Sequence, residues 1–186
     1  PLVTKGAPEA DAGDNRDANF IFGIRNSDGV LCADFEEGAG GASPSLNHPV
    51  AGVTSIALGT WHPGAATYDG PTWRLYLDGN LEATLAVGQP VRSNSIQRAG
   101  LATCITSTGT VQGFFAGELD EARIWNYART QAEVQSTINS ELGAPTSGLV
   151  ARWGLNEDAG TTVGSTAGVA LDGTITASNW SWAAGS

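Results

Sequence analysis

Thr72–Leu77 alternates without a break, with Trp73, Leu75 and Leu77 on one side of an extended chain and Arg74 and Tyr76 on the other. A period of two residues cannot sit on a helix, so this run is a strand with one apolar face. Asp78-Gly79-Asn80 follows as turn chemistry. The same pattern recurs along the chain. Asn19–Arg25 and Val30–Glu36 are predicted strands joined by Asn26-Ser-Asp-Gly29, a hairpin signal, with Phe20, Phe22, Ile24, Leu31, Ala33 and Phe35 on the core side. Val50–Leu58, Trp61–Tyr68, Asn94–Thr106 and Val111–Ala116 add further strands. Pro63 removes a ladder donor, which predicts a bulge or an edge position there. The loop Gly38–Asn47 is rich in Gly, Ser and Pro and long enough to serve as a rim or binding loop.

Gly117–Arg129 (GELDEARIWNYAR) reads as a buried closing strand running into a helix start. Extending the alternation over Leu119–Asn126 places Asp120, Ala122, Ile124 and Asn126 on one face and Leu119, Glu121, Arg123 and Trp125 on the other. Asp120 then shares the core-facing side with two small apolar residues. A carboxylate there needs a cation, an arginine or several N–H donors to offset its desolvation. Thr130-Gln-Ala-Glu133 is a capping box, and Val134, Ile138 and Leu142 recur at helical spacing, which predicts a helix over Thr130–Leu142 stopped by Gly143 and Pro145. Leu149–Leu155 and Gly173–Ile175 are the last predicted strands.

Gly117–Glu133 resembles the G-x-[IL]-D-E-x-R-[IV]-[WY]-N signature of laminin-G-like, concanavalin A-like jelly-roll domains of secreted bacterial proteins. Ala66–Ala83 (ATYDGPTWRLYLDGNLEA) and Leu149–Thr162 (LVARWGLNEDAGTT) match two further pieces in the same order. The resemblance implies an all-β, two-sheet antiparallel jelly-roll sandwich with one short helix toward the C-terminal side. It implies residues 1–148 as the jelly roll, with 149–186 completing the sandwich or beginning a following domain. The family's opening strands have no counterpart here, so the chain reads as part of a longer secreted polypeptide.

Composition narrows the partners. With 25 Gly and only 15% charged residues, the 186-residue chain suits one β-rich domain with many turns. A net charge of −10 argues against nucleic acid and anionic membrane surfaces, which need a basic face. No stretch approaches the roughly eighteen apolar residues of a membrane span, so membrane insertion is not expected. No leader-like segment is visible. Cys32 and Cys104 lie mid-strand on comparable faces, and in a protein that looks extracellular they are expected to bond to each other.

Glu118-Leu-Asp120-Glu121 invites an enzyme reading, because glucanases that share the fold carry E-x-D-x-E or E-x-D-x-x-E on one strand. Ala122 and Arg123 occupy the positions where the third carboxylate belongs, so the acid/base is missing and no catalytic residue is assigned. His48 and His62 have no nucleophile placed beside them and are expected to be surface or hydrogen-bonded histidines. The resemblance therefore implies a non-catalytic module that binds a polysaccharide or other glycan and is attached to further domains of its parent protein. A structural scaffold, or an accessory part of a polysaccharide-degrading enzyme, is the alternative. Trp61, Trp73 and Tyr76 are the expected ligand contacts, since sugars stack on aromatic rings. Resemblance to the glucanases implies Asp120 as ligand of a structural calcium. The other reading pairs Asp120 with backbone N–H groups or with Arg123 or Arg152. Glu9, Asp11, Asp14 and Asp17 could hold calcium in a flexible loop, but their spacing does not match the EF-hand and a solvated loop is the expected reading.

Overall fold

A computed structural model describes residues 1–8, 18–143, 146–167 and 171–183. The acidic loop with Glu9, Asp11, Asp14 and Asp17 lies outside the described residues. The chain divides into two compact units, Pro1–Ala116 and Gly117–Ser186.

The first unit opens with β1 (Val3–Lys5), β2 (Phe20–Ile24), β3 (Val30–Asp34) and β4 (Val50–Ser55). A three-stranded meander follows: β5 (Gly64–Tyr68), β6 (Thr72–Leu77) and β7 (Asn80–Ala86). Short strands β8 (Ala99–Leu101), β9 (Thr103–Ile105) and β10 (Val111–Phe114) finish the unit. All pairings are antiparallel. One sheet runs β4-β3-β2-β1-β8, a second runs β5-β6-β7, and β9 pairs with β10. The core lies between the two larger sheets. Leu31, Ala33, Phe35 and Val50 from one meet Trp73, Leu75 and Leu77 from the other, with Phe20, Phe22 and Ile24 packed against them. Phe35, Tyr68 and Trp73 form a tilted aromatic trio with centroids 4.7 to 5.5 Å apart. The alternation in β2, β3 and β6 therefore predicted the core side correctly. Pro63 sits immediately before β5, the edge of its sheet, where its missing donor costs no ladder bond.

One departure from strict alternation is instructive. The β6–β7 register shifts between Leu75 and Tyr76, so that Leu75 pairs with Ala83 and Tyr76 with Leu81. The extra residue, Glu82, is re-aimed as bulge residues often are. Its Oε2 accepts the N–H groups of Val53 (3.1 Å) and Thr54 (2.9 Å), and its Oε1 the Thr54 hydroxyl (3.0 Å). Those N–H groups belong to β4, an edge strand, and the carboxylate occupies donors that another chain could otherwise pair with.

Cys32 and Cys104 are free thiols, which corrects the expected disulfide. Cys32 lies on β3, separated from β1 by β2, whereas Cys104 lies on β9 in its own two-stranded sheet. Burial pushes both thiols above their ordinary pKa, leaving them poor nucleophiles.

The second unit contains β11 (Ala122–Trp125), α1 (Gln131–Gln135), β12 (Leu149–Trp153), β13 (Thr162–Val163) and β14 (Gly173–Thr174). β11 pairs with β12 and β13 with β14, both antiparallel. The Leu149–Trp153 strand thus joins the strand of the Gly117–Arg129 stretch within one unit. All four β11 residues are half-buried, so the strand is less buried than the expected closing strand. The capping box is present: Thr130 Oγ1 accepts the Glu133 N–H and Glu133 Oε2 accepts the Thr130 N–H (2.7 Å). The helix nevertheless ends at Gln135, well short of Leu142. Ser136 and Thr137 turn their hydroxyls back onto the Glu133 carbonyl, and Arg123 and Arg129 donate to the carbonyls of Thr137, Ser140 and Glu133. Carbonyls captured in this way are not available to a further helical turn.

Candidate functional site

The β6–β7 hairpin is closed by Asp78 and Gly79, with φ of 52° and 75°, while Leu77 and Asn80 face each other. Two successive positive φ values define a two-residue turn of the type whose twist matches the strands, which is why Asp-Gly occupies it. The turn presents the Asp78 carboxylate to the β4–β5 loop. His62 Nδ1 stands 3.0 Å from Asp78 Oδ2, and the Thr60 hydroxyl stands 2.9 Å from His62 Nε2. A neutral imidazole satisfies both contacts: Nδ1–H donates to the carboxylate and Nε2 accepts from the hydroxyl. The Asp78 N–H also donates to the Pro63 carbonyl (2.8 Å). Both neighbours of Trp61 are therefore tied down, and the indole between them is 44% exposed. Leu58, in the same loop, is 97% exposed.

The other five tryptophans have partners. Trp73 packs with Phe35 and Tyr68, Trp125 with Tyr127 and the Arg129 guanidinium, and Trp180 with Trp182. Trp153 Nε1 donates to the Leu171 carbonyl. Among the described residues Trp61 shows neither a ring partner nor an indole hydrogen bond. Trp73 and Tyr76, the other expected contacts, are 5% and 3% exposed. Neither offers a ring face to solvent, which corrects that part of the expectation. Trp73 is needed as a filler between the sheets, and Tyr76 is buried on the side that alternation had marked as outer, so that face of β6 is covered as well.

His48 is hydrogen-bonded as expected, with Nε2 2.9 Å from Oε2 of the buried Glu37. Glu37 organises the Gly38–Asn47 loop: its carboxylate also accepts the Ser43 N–H, and its backbone bonds to Leu46 and Ser45. Arg92, 1% exposed, adds a bond to the Ser45 hydroxyl (2.7 Å) and an ion pair with Glu36 (3.8 Å). The loop is held by buried charge. On the outer side of the five-stranded sheet, Ile21, Cys32, Asp34 and Ala51 line a depression of about 360 Å³. Burial there pushes the Asp34 carboxyl up to about 6, against the opposing effect of N–H donation from His48 (2.8 Å) and Phe35.

In the second unit the charged centre is Glu121, which the alternation had pointed away from Asp120 and left without a role. Its φ of 52° takes it out of extended geometry just before β11 begins. The Glu121 carboxylate accepts Arg123 Nε (3.0 Å) and Nη2 (2.7 Å) and also Arg152 Nε (3.0 Å) and Nη2. Arg152, 3% exposed, continues to Glu141 (3.1 Å) and the Thr166 hydroxyl (2.8 Å). Those bonds, Glu121's first, raise the Arg152 pKa above its ordinary value. Both arginines considered for Asp120 thus bond to Glu121. Asp120 is half-buried and precedes the strand. Among the described residues no three His, Cys, Asp or Glu side chains gather as a metal site.

Residues 3–135 match the model of the concanavalin A-like lectin/glucanases superfamily, and the chain belongs to that family. A candidate carbohydrate binding protein from Bacteroides ovatus has the same fold, at 17% identity and a TM-score of 0.64. The alignment covers 95% of this chain and 49% of that one. An S-layer domain-containing protein from Clostridium thermocellum aligns at 17% identity over 69% of this chain and 59% of that one, with a TM-score of 0.35, too low to establish a shared fold. No curated protein matches the chain in sequence. Among the described residues no helix is long and apolar enough to cross a membrane.

Proposed function

We propose that the chain is a non-catalytic carbohydrate-binding module of a larger secreted bacterial protein, with adhesion to a glycan surface as its use. The observation that carries this reading is Trp61: an exposed indole, clamped on both sides through Thr60, His62 and the Asp78 turn. A residue whose chain neighbours are fixed before binding leaves less loop entropy to lose on stacking against the C–H face of a pyranose. Asp78, His62 and Asn80 stand in the same loop pair to receive hydroxyl groups. Family membership and the Bacteroides ovatus neighbour support the same reading, and the incomplete carboxylate series at Glu118–Arg123 supports its non-catalytic part. The test is a polysaccharide pull-down with native protein and Trp61→Ala, in calcium and in chelator. Retention that disappears in the variant is expected, with or without calcium. Absence of retention on every polysaccharide would leave the scaffold reading.

A further inference from the structure

The class of glycan follows from where the cations are. Of the described Lys and Arg, all except Arg98 have their charged group in a hydrogen bond, an ion pair or a ring contact. Arg25 pairs with Asp28, Arg74 with Asp69, and Arg92 with Glu36. Arg123 and Arg152 share Glu121, and Arg129 lies 4.3 Å over the Trp125 ring. Lys5 donates to the backbone carbonyls of Ser95 and Gln97, and Arg98 is the one exposed guanidinium among them without an ion pair. The polar groups flanking Trp61 are of the opposite kind. They are a carboxylate with 45% of its side chain exposed (Asp78), an imidazole whose Nδ1 is taken by that carboxylate, and a hydroxyl, in a chain of net charge −10.

Sugars bearing carboxylate or sulfate are ordinarily held by arginine forks or clustered lysines, because desolvating the anion demands a charged donor. Among the described residues no Lys or Arg bonds to Thr60, His62 or Asp78 beside Trp61, and the rim places an anion where the ligand would come. We infer that this site takes neutral glycans, chains of uncharged hexose or N-acetylhexosamine units, and rejects uronate-containing and sulfated ones. The indole supplies contact that every pyranose with an apolar face can use. Asp78 accepts from sugar hydroxyls, which any neutral pyranose offers as donors, and repels a second carboxylate brought beside it. Specificity then comes from a repulsive element as much as from the attractive one. The inference rests on the reading of Trp61 as a glycan platform.

Affinity electrophoresis of the full chain tests it, with soluble mixed-linkage β-glucan and galactomannan as neutral probes and polygalacturonate and heparin as acidic ones. The expected result is retardation by a neutral probe that Trp61→Ala abolishes and Trp61→Phe partly restores. Acidic probes should bind at least about tenfold more weakly at low salt, and added salt should narrow that gap. Asp78→Asn should narrow it at low salt. Retardation by an acidic probe that depends on Trp61 would overturn the neutral specificity while leaving the glycan reading intact. Retardation by none of the four would overturn both. Trp61 is at the surface, so circular dichroism of the variants should match that of the native chain, which keeps lost binding from being lost fold.

Discussion

The two units are held together by different forces. In Pro1–Ala116 a continuous apolar layer of Leu31, Ala33, Phe35, Trp73, Leu75 and Leu77 sits between two sheets, and each of these residues is at most 5% exposed. In Gly117–Ser186 the best-organised contact is ionic: Glu121 on Arg123 and Arg152, with Glu141 and Thr166 completing the shell of Arg152. Apolar burial is additive and non-directional, so a strand contributes to it by facing the right way. A buried ion cluster depends on the placement of single atoms and fails abruptly when one partner is removed.

The largest effect is expected where the apolar layer is cut. Phe35, 1% exposed, touches Tyr68, Trp73 and His48 at centroid distances of 4.7 to 5.3 Å. Phe35→Ala should destabilise the first unit by about 3–5 kcal/mol through lost burial plus the cavity left behind. Amide exchange should rise throughout β2, β3 and β6 and show little dependence on salt. A loss below about 1 kcal/mol would mean that the layer collapses around the gap and is not close-packed.

Glu121→Gln should cost less, about 2 kcal/mol, because Arg152 keeps Glu141 and Thr166 but loses the group that neutralises it. Faster exchange should be confined to β11 and β12. Pairing Glu121→Gln with Arg152→Met should recover most of the loss, since an apolar filler carries no unpaired charge. If the single variant disturbed β3 and β6 instead, the contrast between the units would be misplaced.

That contrast also explains which parts of the structure were legible in the sequence. Parity along a strand marks the apolar layer, so Leu31, Ala33, Phe35, Trp73, Leu75 and Leu77 could be placed without coordinates. The capping box was legible because its two bonds are local in sequence. Glu121 was not, because one residue at φ 52° inverts the parity of everything before it, and that value is not encoded in hydropathy. Tyr76 was misplaced for another reason: both faces of β6 are covered over Leu75–Leu77, which parity along one strand does not report. At the candidate site the sequence offered Trp61, Trp73 and Tyr76 as equals. Only burial separates the platform from the core, and burial depends on partners far away along the chain.

Asp34 is the point at which charge intrudes on the sheet of the apolar unit, and its effect is the smallest and most specific. Burial holds its carboxyl at about 6, above the ordinary 3.8. Between those values the folded chain keeps a proton that the unfolded chain has released. The folded state therefore binds more protons, and stability falls as pH rises through the window. Above it the ionised, partly desolvated carboxylate costs about 1 kcal/mol, once its partial exposure is allowed for. Asp34→Asn removes the titration and leaves Oδ1 free to accept the His48 N–H. The variant should match native protein near pH 4 and melt higher near pH 7, the difference growing across the window. Other carboxylates drop out when the two proteins are compared at each pH. A variant less stable than native by the same amount at both pH values would show that Asp34 acts through its hydrogen bonds and not through its charge.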